Sequence, residues 1–148
     1  MALKNRSVPV DAVLPHVTYQ NVDEAIAWLT SVFGFREYYR YGDGPSGGQI
    51  WAGKAVIQIQ QARGEQKSPA QLGYGTQSLT IFIDDVDGHY ARAKAAGARI
   101  LEEPHETVYG EYQYAAADLD GHRWLFSRHA TDRRPEEWGA VVKDPEQR

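Results

Sequence analysis

Seven polar side chains recur at every second position of strand-like runs: His16, Thr18 and Gln20, then Gln58 and Gln60, then Ser78 and Thr80. A spacing of two projects such groups to one side of a strand. Imidazole, amide and hydroxyl groups gathered there can hold a polar ligand through hydrogen bonds. With carboxylates and further imidazoles beside them they could hold a metal ion. The other histidines are placed differently. His89 falls in a helical run and is expected on its outer face, and His122 follows a turn glycine as a structural or exposed turn residue. His105 and His129 sit in loop or strand-end positions with no companion at ligand spacing. Glu102, Glu103, Glu106 and Glu111 surround a loop and read as a solvated charge run, unpaired at the spacing that acid–base catalysis needs. Nucleophilic catalysis has no support, because cysteine is absent and no Gly-x-Ser-x-Gly stretch occurs. GDGPSGG at 42–48 lacks the lysine and the following helix of a phosphate-cradling loop.

The elements that must position these groups form a pattern that occurs twice. Residues 14–20 alternate as a half-buried strand, with Val17 and Tyr19 opposite His16 and Thr18. Asn21, with Glu24 three positions on, caps a helix over about 22–32, which Gly34 ends. An extended aromatic run follows over 35–40, then a turn at 42–48 and strands over 49–52 and 55–61. Polar residues 62–77 form a linker or a mobile loop. The second unit restarts with an alternating strand at 78–83, a helix over about 86–96 ended by Gly97, and strands near 98–102, 112–117 and 122–128. The recurrence predicts one architecture built twice, βαβββ and βαβββ. The expected fold is α+β: two such modules (about 10–62 and 77–130) forming a curved mixed sheet with helices on the convex face and a cavity on the concave one. A charged tail over 131–148 is expected to be peripheral, with Trp138 packing back or onto a second subunit.

Length and composition fit a single domain over about 10–130. The chain has 148 residues, 42% apolar and 24% charged, in the range of ordinary globular proteins. Its formal charge of −4 and the lack of a basic stripe argue against nucleic acid and suit a cationic ligand. No apolar run is long enough for a signal peptide or a membrane span, so a cytoplasmic protein with no membrane partner is expected.

Four stretches in order, AIAWLTSVFGF, AVIQIQ, DDVDGHYARAKAAGA and DLDGHRWLF, resemble the vicinal-oxygen-chelate superfamily, the fold of glyoxalase I, extradiol dioxygenases and bleomycin-resistance proteins. YGEYQYAAADLDGHRW is most similar to the glyoxalase/bleomycin-resistance branch, although Leu119 stands where the family motif has proline. Enzymes of that superfamily hold a divalent metal with His and Glu side chains from four strand positions. Carried over residue by residue, those positions fall on or near His16 and on Gln58, Ser78 and Leu125. An amide, a hydroxyl and an alkyl group are poor or impossible ligands for such a metal. The resemblance therefore implies a metal-independent, cofactor-free small-molecule binder of the bleomycin-resistance type. Its ligand would be antibiotic-like, aromatic or cationic, and held without chemistry. Members of that branch are homodimers whose modules face each other across shared clefts. On this reading His16, Gln58, Ser78 and Arg123 offer polar contacts, and Tyr109 and Tyr112 offer stacking surfaces. The alternatives are a divergent lyase, isomerase or dioxygenase using a metal, and a structural module whose cleft is vestigial.

Overall fold

In a computed structural model, residues 3–10, 12–43 and 46–143 are described. The expected turn over 42–48 and the tail to 148 therefore lie partly outside the described residues. Module one contains β1 (His16–Tyr19), α1 (Val22–Val32), β2 (Arg36–Tyr41), β3 (Gly47–Ala52) and β4 (Ala55–Gln61). A short helix α2 (Pro69–Leu72) interrupts the linker. Module two repeats the order with β5 (Ser78–Phe82), α3 (Val86–Ala95), β6 (Arg99–Glu106), β7 (Glu111–Ala117) and β8 (Arg123–His129). Each module forms one mixed four-stranded sheet, ordered β1-β4-β3-β2 and β5-β8-β7-β6. Only the first strand of each module is parallel to its neighbour. The fold is thus the expected α+β arrangement, delivered as two sheets.

Local chemistry accounts for the elements. The Asn21 side chain accepts the Glu24 amide at 2.9 Å, and Asp85 accepts the Gly88 amide at 2.9 Å. Each satisfies one of the unpaired amides at a helix start. Bulges lie at Glu37/Tyr39 in β2 and at Ile100/Glu102 and Glu102/His105 in β6. Both are edge strands, where an extra residue increases twist and bends the sheet. The bulges also carry β6 past Pro104, four residues beyond the end expected from sequence at 102. An edge strand tolerates a proline because no further strand needs its amide.

One apolar core spans both modules. Phe33 and Phe35, where α1 ends, pack against Trp124 and Phe126 of β8 with ring centroids 4.9–6.1 Å apart. His89 corrects the expectation from sequence. It does not face outward from α3 but is wedged into this seam, 4.0 Å from the Phe126 ring. Its Nε2 meets the Phe33 carbonyl oxygen at 2.9 Å, and its Nδ1 meets the Tyr114 hydroxyl at 2.6 Å. A carbonyl only accepts, so Nε2 carries the proton and the neutral ring accepts from Tyr114 at Nδ1. The low hydropathy of α3 hid this inward face. Trp138, in the 3-10 turn Pro135–Trp138, packs back edge-on against Tyr109 of the same chain at 5.9 Å. No described helix is long and apolar enough to cross a membrane.

Burial pushes the His89 imidazole below its ordinary value, against a weaker opposing pull from the Phe33 carbonyl. The unfolded chain therefore takes up this proton at higher pH than the folded one. The stability it contributes is complete above the ordinary histidine range and falls as pH drops through about 6.5. We expect the thermal midpoint to fall between about pH 7.5 and 5.5, and to fall less steeply in His89→Gln. That variant should also lose about 1–3 kcal/mol in urea unfolding, because a glutamine amide does not replace the ring packed 4.0 Å from Phe126. An unchanged pH slope would show that His89 does not titrate on unfolding.

Candidate functional site

The turn Asp118–Gly121 and the residues after it join the two modules. Asp118 is buried and accepts four hydrogen bonds. At Oδ2 it receives the Tyr19 hydroxyl at 2.6 Å and Trp124 Nε1 at 2.9 Å. At Oδ1 it receives the Asp120 and His122 amides, both at 3.0 Å. Asp120 accepts the Gln20 amide at 2.7 Å, and His122 Nε2 donates to the Thr18 carbonyl at 2.6 Å. Gly121 adopts φ +87°, a left-handed conformation natural to glycine, and closes the turn by donating to the Asp118 carbonyl. Burial raises the Asp118 carboxyl above its usual range, and its hydrogen-bond donors oppose that rise. The same burial, with the Asp118 charge beside it, holds the Tyr19 phenol well above its ordinary value.

On the face of sheet one opposite α1, the polar residues engage one another. His16 Nδ1 donates to Gln60 Oε1 at 3.2 Å, and Gln60 Nε2 donates to Thr18 Oγ1 at 2.7 Å. Gln49 donates to Gln58 Oε1 at 3.0 Å, and Gln58 Nε2 donates to the Tyr41 hydroxyl at 3.0 Å. His16 and Gln58 are register partners, so two of the six expected ligand contacts stand side by side. Ser78 and Arg123 form a second register pair on sheet two, where Arg123 donates to Glu102 at 2.9 Å. Tyr109 stands apart in the β6–β7 loop and accepts from Gln113 Nε2 at 3.2 Å. Tyr112 lies on the helix-facing side of β7, because strand alternation puts it opposite Gln113. Its hydroxyl donates to Asp87 of α3 at 2.6 Å and the Arg128 guanidinium covers its ring. A stacking role on the open face is therefore not available to Tyr112.

The metal positions implied by the resemblance do not fit a metal. Both ends of the Gln58 amide are committed to protein partners. Leu125 has no donor atom, and its register partner is Thr80, not Ser78. Among the described residues no group of three or more His, Cys, Asp or Glu side chains is placed to hold an ion.

The largest cavity, about 860 Å³, lies elsewhere, between the β3–β4 turn of module one and the β5 end of module two. Ala52, Ala55, Ile81, Ile83 and the exposed Phe82 supply apolar wall, and Lys54, Arg128 and Asp84 supply charge. A smaller hollow of about 250 Å³ opens on His16, Thr18 and His122 beneath the linker. Another, of about 460 Å³, opens on Tyr109, Glu111 and Arg133. His129 lines both the largest cavity and the Tyr109 hollow. Its Nδ1 meets Glu111 Oε1 at 2.7 Å, because β7 and β8 pair these residues in register. Sequence reasoning left His129 without a companion and Glu111 in a solvated run. Their separation of 18 residues becomes a contact only through the β7–β8 ladder. The available signal was Phe82, a large aromatic on the otherwise polar side of β5.

The sequence model of the Glyoxalase/Bleomycin resistance protein/Dioxygenase superfamily matches residues 11–126, and the chain belongs to that superfamily. An uncharacterized protein of Mycobacterium bovis is 26% identical over 122 residues, covering 76% of this chain and 80% of that protein. The crystal structure of TioX from Micromonospora sp. ML1 is similar with a TM-score of 0.68 and 26% identity, covering 81% of this chain and 99% of that one. A glyoxalase/bleomycin resistance protein/dioxygenase family enzyme from Burkholderia phytofirmans PsJN shares the fold, with a TM-score of 0.61 and 22% identity over 81% of this chain and 99% of that one.

Removing the buried acceptor at the turn should loosen the joint between modules. Asp118→Asn places an amide N–H against existing donors, and we expect a loss of about 3 kcal/mol in urea unfolding followed through tryptophan emission. A loss under about 0.5 kcal/mol, the range of ordinary surface substitutions, would show that the turn does not hold the modules together.

Proposed function

We propose that the protein binds a flat small molecule without a metal, in the manner of antibiotic-sequestering members of its superfamily. The observation that carries this reading is the pairing of two facts. The superfamily's metal positions hold an engaged amide, a hydroxyl and an alkyl group, while a cavity of about 860 Å³ lies open elsewhere, between the β3–β4 turn and β5. That volume suits a drug-sized ligand, and an apolar wall with a few charged groups is the usual composition of such sites. Phe82, 57% exposed, offers a stacking surface. Lys54 offers a cation to an anionic group on the ligand, rather than the cationic one that the net charge of the chain suggests, whereas the Arg128 guanidinium is turned onto the Tyr112 ring. His16, Gln58, Ser78 and Arg123 provide a polar surface on the open faces of the two sheets, and Tyr109 a ring at their edge.

A matched pair of probes tests this reading. Isothermal titration should show saturable one-to-one binding of 2-naphthoate and weaker binding of 2-naphthylmethylammonium. Lys54→Glu should weaken the naphthoate about tenfold, or about 1.4 kcal/mol. Chelator treatment should change neither value. Binding that appears only with added nickel, zinc or iron(II), or no saturable binding of either probe, would sink the proposal.

Pairing of two copies across the open sheet faces would cover Tyr41 and Phe82, which are 49% and 57% exposed. Large apolar side chains left exposed on a sheet face are groups that such an interface would bury. Sedimentation velocity should then give a dimer at micromolar concentration that Phe82→Lys shifts toward monomer. A monomer at all concentrations would remove the second copy from the reading.

A further inference from the structure

We propose that Glu111 and His129 form a proton-accepting pair for the cavity between the β3–β4 turn and β5, and that the cavity takes weakly acidic flat compounds, phenols above all, as their anions. The inference rests on the binding reading of that cavity and goes further by assigning it a reaction. His129 Nδ1 lies 2.7 Å from Glu111 Oε1. A carboxylate accepts, so the neutral ring carries its proton on Nδ1 and leaves Nε2 with a free lone pair. Nε2 has no protein partner among the described residues. The ring is stacked on Phe82 at 5.1 Å and 28°, which fixes its plane against the cavity wall where an aromatic ligand would lie.

The two partners differ in exposure in the way such a pair requires. The His129 side chain is 80% exposed and reachable, whereas that of Glu111 is 15% exposed. Glu111 Oε2 is buried with no partner of its own. Such an anchored carboxylate selects the ring tautomer and stabilises the imidazolium once it forms, the role a buried acid plays beside a catalytic histidine. In the proposed step the phenol O–H bond breaks and its proton passes to Nε2. The electron pair stays on the phenolate oxygen, and nothing is oxidised or reduced. The product charges both find partners: Glu111 faces the imidazolium, and Lys54 lines the cavity that would hold the phenolate. The other charged groups around His129 are Asp84 in the same cavity and Asp132 and Arg133 in the hollow behind it. Glu111 is a positioning residue here, and His129 the group that would touch the ligand.

The test uses m-nitrophenol, whose anion is yellow and whose acid is not, added to the full chain at a pH about one unit below the phenol's own pKa and above the ordinary histidine range. Titration should raise the phenolate absorbance to a plateau of one per chain. His129→Gln, which can still donate to Glu111 but cannot take a proton, should abolish the rise even at phenol concentrations that displace 2-naphthoate and so fill the cavity. Glu111→Gln should shift the pH at which bound probe ionises upward, with naphthoate affinity and thermal midpoint little changed. Ionisation that persists in His129→Gln, or m-nitrophenol that displaces naphthoate from the unaltered protein without turning yellow, would overturn the proton-accepting pair and leave the binding reading intact. Failure of both probes to bind would overturn the binding reading itself, and the pair with it.

Discussion

A single buried carboxylate holds the two halves of this fold in register. Asp118 sits at the turn between β7 and β8, yet its strongest contacts include Tyr19 of module one and Trp124 at the centre of the shared core. A carboxylate taken out of water is tolerated only where donors replace its hydration, and four donors converge here. Two come from the turn that carries it and two from aromatic side chains whose bodies are core and whose polar tips reach the carboxylate. His122 and Asp120 extend the same joint to the backbone of β1 and the residue after it. The hollow that opens on His16, Thr18 and His122 lies against this joint, so its shape depends on it.

The chemistry left to the open sheet faces follows from which polar groups they carry. An amide has as many donors as acceptors, so neighbouring amides satisfy each other, as the Gln49–Gln58–Tyr41 and His16–Gln60–Thr18 chains do. Carboxylates at the same places could not, and would require a cation. Replacing Glu by Gln and by Leu at such positions turns a surface that demands a metal into one that is self-satisfied. The same economy explains why the cavity beside β5, with Lys54 and the exposed Phe82 on its wall, is a better candidate site than the polar faces.

Much of the architecture was legible in the residues. Period-two alternation at 14–20 and 78–83, the cap Asn21, and the glycines after each helix placed both modules, because these are local steric and hydrogen-bonding preferences. Helix α3 was found, but its facing was not. Its mean hydropathy is low, and the group it buries is a histidine satisfied by a carbonyl and a phenol far away in sequence. The reach of β6 past Pro104 was missed for a related reason, since only its position at the sheet edge makes a proline there acceptable.

The candidate site divides along the same line. Residue types at 16, 58, 78 and 125 were enough to argue against a metal, because ligand chemistry belongs to the side chain itself. The side of the sheet on which Tyr112 lies, the partner of Glu111, and the meeting of the Gly53–Lys54 turn with the end of β5 were not available there. Each depends on strand register or on how one module docks against the other. The sequence by itself determined two βαβββ units and the loss of the metal donors. Only the tertiary structure decided where a cavity opens and which charges line it, since such contacts are set by long-range packing rather than by neighbours along the chain.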